Sequence, residues 1–379
     1  MEVLDGATTI EKVLLERGAM MGAPVNGSLE LLPFCDMNCN FCYVHLTPEE
    51  AKAAGGRVHT GKEWLELGEQ MKKAGTLFLL LTGGEPLLHP DFREIFIGLK
   101  KMGFILTLNT NGTLIDESWV RFFQEYKPRR INITLYGADP DTYEKTCHYR
   151  EGFERTTRAI QLLSEAGIDT KVGFSLGKDN AQDAGAVLQM IRKWNLPAGF
   201  DTYMLPAVRE RGKAFQNQTR LGPEEAADVF VDNLEYLTDG EQVEEYIDRK
   251  LQEIKETDVS KREEGRMSCL AGKCSFSINW QGEMHPCVIL TQPARSVFED
   301  GFESAWKTIR EGCDKIRLYD GCSVCRLRPV CRTCAACHLL ESGSYKGKPE
   351  YMCRYARQIY RKFTEKQEAA GKHGQEEKK

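Results

Sequence analysis

Between residues 28 and 205, six short runs rich in apolar and β-branched residues alternate with longer stretches of helical periodicity. Ser28–Pro33 (SLELLP), Leu77–Thr82 (LFLLLT), Phe104–Asn109 (FILTLN), Ile131–Tyr136 (INITLY), Lys171–Ser175 (KVGFS) and Phe200–Leu205 (FDTYML) have the length and composition of strands. Between them, Glu63–Ala74 sets Trp64, Leu67 and Met71 at helical spacing and stops at Gly75. Pro90–Lys101 and Gly152–Ala166 follow the same plan, with Gly103 and Gly167 just beyond their ends. Repeated strand–helix units predict an α/β fold, a partial six-unit relative of the eight-fold TIM barrel, whose chemistry gathers at the C-terminal ends of the strands.

The pattern changes after residue 221. Residues 222–265 are acidic with helical spacing and read as a connecting helical segment. Residues 266–357 hold a dense set of cysteines, and 358–379 form a polar end expected to fray, with 1–27 as an N-terminal extension and 28–221 as the barrel. The chain has 379 residues, 41% of them hydrophobic and 28% charged, as ordinary globular proteins do. A net charge of −5 argues against a nucleic-acid partner. No run approaches the roughly 18 apolar residues of a membrane span, and the N-terminus lacks a signal-peptide core, so a cytoplasmic protein without a membrane partner is expected.

Fourteen cysteines in such a chain point to metal or redox chemistry in place of disulfides. Three follow the first predicted strand, Cys35-x3-Cys39-x2-Cys42; one is Cys147; ten lie between Cys269 and Cys353. Three thiolates can ligate three irons of a cubane and leave the fourth free for a ligand. The competing reading is zinc, with His45 as a fourth ligand. Thr82-Gly83-Gly84-Glu85-Pro86 ends the second predicted strand, where glycines permit close backbone approach to a ligand.

Cys35, Cys39 and Cys42, with aromatic Phe41 before the last, resemble the radical S-adenosylmethionine (radical SAM) motif C-x3-C-x-aromatic-C, and Gly83-Gly84-Glu85-Pro86 resembles the GGEP motif of that superfamily. The resemblance implies an oxidoreductase that cleaves S-adenosylmethionine to a 5'-deoxyadenosyl radical and abstracts hydrogen from its substrate. It also implies that backbone near Phe41 meets the adenine, and that Asn111 and Thr134 line other parts of the cofactor. No catalytic acid or base is identifiable.

Gly282-x4-Cys287, then Cys322-x2-Cys325-x5-Cys331, then Cys353, resemble the SPASM extension, which implies two auxiliary clusters and three four-iron, four-sulfur clusters in all. Carried over, Cys269, Cys274 and Cys287 belong to the first auxiliary cluster, and Cys322, Cys325, Cys331 and Cys353 to the second. Ala335 stands where the family has a further ligand of the first; Cys337 is expected to substitute, with Cys334 as the alternative, and Cys313 is unassigned. A zinc knuckle of Cys322, Cys325, Cys331 and Cys334 is the competing reading. Cys147, His89, His285 and His338 are expected to serve packing and turns.

Known substrates of the group imply a ribosomally made peptide that is cross-linked or otherwise modified. A separate leader-peptide carrier is expected, because only 27 residues precede the first strand, and so is a flavodoxin- or ferredoxin-type electron donor. Val288 follows Cys287 where sulfatase-maturing relatives have an acidic base, which disfavours formylglycine formation. The alternatives are a radical SAM enzyme acting on a small molecule or cofactor precursor, and a non-enzymatic iron–sulfur redox sensor.

Overall fold

The computed structural model describes residues 8–202, 204, 219–238, 242–260 and 265–376, with side chains through 370. The strands are β1 Asn26–Glu30, β2 Phe78–Thr82, β3 Ile105–Thr110, β4 Arg130–Thr134, β5 Thr170–Ser175, β6 Ala198–Asp201, β7 Ser275–Ile278, β8 Glu283–His285 and β9 Arg295–Ser296. The helices up to residue 193 are α1 Thr9–Met21, α2 Pro48–Ala53, α3 Gly61–Lys73, α4 Phe92–Lys101, α5 Glu117–Glu125, α6 Pro140–Cys147, α7 Gly152–Glu165 and α8 Ala184–Lys193. All six expected strands form. The sixth ends at Asp201, and Tyr203 and Leu205 of its expected span lie outside the described residues.

The chain divides into two compact units. Described residues 8–173 and 268–316 make the first. Its strands run in the order β5-β4-β3-β2-β1-β7-β8-β9; β1 to β5 and β7 are parallel, and β8 and β9 are antiparallel additions. Register aligns Leu29 with Leu81 and Ile278, Leu81 with Leu108, and Leu108 with Ile131. All five side chains are fully buried, each worth about 1.5–3 kcal/mol of apolar burial. Period-2 alternation leaves the other face polar: Ser28 hydrogen-bonds Ser277 at 2.8 Å, and Asn132 donates to Asn109 at 2.8 Å.

Local sequence sets where these helices begin. Thr8, Thr47 and Thr60 each cap a helix and are answered by Glu11, Glu50 and Glu63 three positions on, forming reciprocal capping boxes. Gly75, Gly103 and Gly167, at φ of +93°, +99° and +67°, end the runs of α3, α4 and α7 as the sequence predicts.

The second unit comprises the described residues of Phe174–Pro206, Gln218–Met267 and Arg317–Lys379. The end of β5 lies beside β6 there, with Leu176 N donating to Asp201 O at 3.0 Å and the Phe174 and Phe200 rings stacked 6.0 Å apart. The acidic stretch forms helices Pro223–Asp232 and Val243–Glu256.

The expected frayed end is instead a continuous helix, Glu350–Glu376. Tyr355, Ile359 and Phe363, four residues apart, are buried along one stripe. Arg354 pairs with Glu224 at 2.8 Å, and Gln358 donates to Asp228 at 2.6 Å. The polar residues of this end through 370 therefore form the outer face of an amphipathic helix.

Candidate functional site

The loop bearing Cys35, Cys39 and Cys42 leaves the C-terminal end of β1, where Leu31 N still donates to Thr82 O at 2.9 Å. The end of β2 presses against this loop. A Cβ on Gly83 (φ +145°) would lie 2.6 Å from Leu32 O, and one on Gly84 would lie 2.1 Å from Phe34 O. Gly84 N donates to Leu32 O and Glu85 N to Phe34 O, both at 2.8 Å. The paired glycines thus seat the segment that aims Cys35, and the Gly84 and Glu85 amides are engaged by that segment.

Glu85 is fully buried. Its carboxylate accepts hydrogen bonds from Thr110 Oγ1 and Asn111 N at 2.8 Å and from Leu87 N at 3.0 Å. Burial pushes its pKa up to about 7 despite these donors, and the Asp36 charge nearby acts in the same direction. Pro86 is buried and opens the short turn Pro86–Leu88. Asn111 Nδ2 donates to Asp36 Oδ1 at 2.8 Å and lies 3.6 Å from Cys35 Sγ. Thr113 Oγ1 donates to Asp36 Oδ2 at 2.5 Å, and Thr156 Oγ1 to Asn111 O at 2.9 Å. A continuous polar chain therefore joins Gly-Gly-Glu-Pro, the end of β3 and the cysteine loop.

Two of the three thiols already accept backbone donors. Met37 N lies 3.4 Å from Cys35 Sγ, and Val44 N and His45 N lie 3.5 and 3.2 Å from Cys42 Sγ. Such N–H donors favour thiolate, the form that binds iron. Burial raises the Cys35 thiol, with the Glu85 charge adding to it. Cys39 is raised as well, first by a hydrogen bond with the Cys147 thiol and then by burial.

Three residues beyond the expected set stand at this loop. Cys147, at the end of α6, is fully buried, and its carbonyl accepts from Asn38 N at 3.0 Å. Asn40 N donates to Thr146 O at 2.9 Å, so the end of α6 clamps the loop on both sides of Cys39. Tyr136 is a hydrogen-bond partner of Cys39, its ring lies 5.8 Å from Phe41, and burial, with the sulfurs of Cys39, Cys147, Cys35 and Cys42 adding to it, pushes its hydroxyl well above the usual tyrosine range. Asp36 is the third. Its position inside the cysteine motif and that of Tyr136 at the end of INITLY are the signals that could have found them. Thr134 is half-buried and faces Gly173 across the β4–β5 ladder.

In the first unit, Gly282 (φ +85°) turns β7 into β8, and a Cβ there would lie 2.3 Å from the Phe298 ring. Cys287 Sγ accepts from Leu290 N at 3.2 Å. Burial pushes the Cys313 thiol up to about 12, with Cys269, Cys287 and Asp314 acting in the same direction. In the second unit, Cys322, Cys325, Cys331 and Cys353 lie within one another's electrostatic reach; burial and these neighbours push Cys331 up to about 12 and Cys322 to about 11.

Cys334 and Cys337 lie 3.7 Å apart at the start of helix Ala335–Ser342, where the Cys337 thiol and the helix's first amides lower Cys334. His338 Nδ1 meets Gly347 O at 2.7 Å, and its Nε2 lies 3.9 Å from Cys322 Sγ. His89 bridges His59 O and Asp91 N, and His285 meets Thr291 O, as turn and packing residues do. Among the described residues, no three His, Cys, Asp or Glu side chains close on a single metal ion. The donor set is nevertheless sulfur-rich and buried or half-buried, which fits iron–sulfur chemistry.

Residues 29–191 match the Radical SAM superfamily. The chain is 24% identical to the AdoMet-dependent heme synthase of Methanosarcina barkeri, over 89% of this chain and 98% of that protein. It is 23% identical to AlbA, the antilisterial bacteriocin subtilosin biosynthesis protein of Bacillus subtilis, over 88% of this chain and 71% of that protein. The solved structure of anSMEcpe with bound AdoMet and Cp18Cys peptide superposes with a TM-score of 0.66 at 18% identity, covering 92% of this chain and 99% of that one, which shows a shared fold. Among the described residues, no helix is long and apolar enough to cross a membrane.

Proposed function

Since residues 29–191 form a domain of the Radical SAM superfamily, we propose that this chain cleaves S-adenosylmethionine at a four-iron, four-sulfur cluster held by Cys35, Cys39 and Cys42, and modifies a ribosomally made peptide. The observation that carries the reading is the three-cysteine loop at the end of β1, locked to Gly-Gly-Glu-Pro by the amides of Gly84 and Glu85. The bound cluster and cofactor supply a one-electron reduction that opens the sulfonium and yields a radical able to abstract hydrogen. The chain's own residues hold the geometry: Met37, Val44 and His45 amides stabilise the thiolates, and Glu85, Asn111 and Thr113 fix Asp36 beside Cys35. Phe41, Gly83, Pro86 and Thr134 complete the proposed cofactor-binding set.

The C-terminal cysteines are proposed to hold two auxiliary clusters that handle electrons around the substrate. The mutual proximity of Cys322, Cys325, Cys331 and Cys353 supports a four-thiolate centre. A peptide substrate is favoured by the AlbA relative and by the peptide in the anSMEcpe structure. A carrier for the leader peptide and a flavodoxin- or ferredoxin-type donor belong to the same proposal. The heme synthase relative, matched over 98% of its length, supports a second reading in which the substrate is a cofactor precursor.

Anaerobically reconstituted protein with a reductant releases 5'-deoxyadenosine on this reading, and Cys39→Ala abolishes the release because an under-ligated cubane loses its geometry. Retained cleavage in Cys39→Ala removes the assignment of that loop. A mass change in a peptide encoded beside the gene, set against conversion of an iron porphyrin, separates the two substrate readings.

A further inference from the structure

Asn111 stands just past the end of β3 and is buried. Its backbone is committed on both sides: the amide donates to Glu85 Oε2 at 2.8 Å, and the carbonyl accepts from Thr156 Oγ1 at 2.9 Å. Its side chain is equally committed. Oδ1 accepts from Thr113 N at 2.9 Å and lies 2.7 Å from Thr113 Oγ1, while Nδ2 donates to Asp36 Oδ1 at 2.8 Å and lies 3.6 Å from Cys35 Sγ. These partners fix which end of the amide is which, because a backbone N–H calls for the oxygen and a carboxylate calls for the NH2 group.

Nδ2 carries two hydrogens, and the two acceptors it faces, Cys35 Sγ and Asp36 Oδ1, are 3.7 Å apart. The Cys35 thiol donates across that gap. A thiolate that binds iron has lost this proton. Sulfur and carboxylate are then two negative groups in contact, and the Asn111 NH2 group bridges them with one N–H for each.

We propose that Asn111 is a positioning residue: it donates to the Cys35 sulfur and the Asp36 carboxylate at once, raises the reduction potential of the cluster held at that loop, and keeps no polar group for the cofactor, although the family resemblance implies that it lines the cofactor. The inference rests on the reading that Cys35, Cys39 and Cys42 hold a cluster. An N–H aimed at a ligand sulfur stabilises the reduced cluster, the more negative form, and so makes reduction easier. Thr113 is the contrasting neighbour. Its hydroxyl donates to Asp36 Oδ2 at 2.5 Å, so it holds the loop through the carboxylate.

The test is potentiometry of anaerobically reconstituted full-length protein, read by electron paramagnetic resonance. The cluster of this loop is identified as the one whose signal changes when S-adenosylmethionine is added. Asn111→Ser keeps the backbone links and is too short to reach Cys35. Its midpoint is expected to fall by about tenfold in the reduction equilibrium, which is about 59 mV for one electron, whereas Thr113→Val stays within about twofold of the parent. A parent without a cofactor-sensitive signal removes the reading of the loop itself. With that signal present, an unchanged midpoint in Asn111→Ser overturns the inference, and so does an equal fall in Thr113→Val, which would mark a general loosening of the loop.

Titrating the same signal with S-adenosylmethionine reads the cofactor. Half-saturation in Asn111→Ser is expected within about threefold of the parent, and a rise of about tenfold or more would show that Asn111 binds the cofactor directly. One arm needs no substitution and so decides even if Asn111→Ser fails to fold. In parent protein with isotope-labelled asparagine side-chain amides, the reduced cluster of this loop is expected to show a hyperfine coupling to an amide nitrogen, and the absence of any such coupling overturns the bond to Cys35.

Discussion

Glu85 sits where a carboxylate is least at ease, fully buried beside Asp36, and its pKa of about 7 records that burial outweighs three hydrogen bonds. An unfolded glutamate releases its proton near 4.5, so between that pH and 7 the native protein holds a proton that the unfolded chain has lost. Stability from this group is therefore complete below pH 4.5 and declines as pH rises through 7, by about 3 kcal/mol in all. Urea midpoints of the metal-free protein at pH 5 and pH 8 should show that decline, and Glu85→Gln should reduce it by about that amount. Equal pH dependence in the two proteins would show that Glu85 gains nothing from its proton. The cysteine and Gly-Gly-Glu-Pro motifs were legible because each is a short contiguous pattern. Thr113 and Asn111 reach Asp36 across 77 and 75 residues of chain, and no local spacing announces such contacts.

At the scale of elements, hydrophobic periodicity located all six β/α strands, since strand burial repeats every second residue and helix burial every three or four. It failed at the C-terminus. Ile359 and Phe363 are sparse buried positions in an otherwise polar run, and the stripe they complete begins at Tyr355, so a segment opening at residue 358 shows only part of the amphipathic face. Phe363 is fully buried, with its ring 6.1 Å from Tyr246. Phe363→Ala should cost about 3–5 kcal/mol in urea unfolding, the usual range for a buried phenylalanine. A loss below about 1 kcal/mol would mean that this helix end frays in solution.

Across the whole molecule, the thiols fall into separate groups. Cys35, Cys39 and Cys42, with Cys269, Cys274, Cys287 and Cys313, belong to the first compact unit; Cys322, Cys325, Cys331, Cys334, Cys337 and Cys353 belong to the second. Cofactor cleavage needs one open iron, the sulfonium and an electron, all of which the loop after β1 and its Gly-Gly-Glu-Pro partner are proposed to organise. Product formation needs more, because a substrate radical must lose an electron or be quenched, and a distinct centre suits that task. Cys325→Ala should therefore leave 5'-deoxyadenosine release at the parent rate while stopping the mass change in the substrate, with the iron content falling by about 4. Uncoupled release without product identifies the second-unit centre as part of the reaction. Loss of both activities, with the iron of all three centres, would mean that it holds the protein together instead; the same variant's urea midpoint separates that outcome from a direct electronic effect on the first cluster.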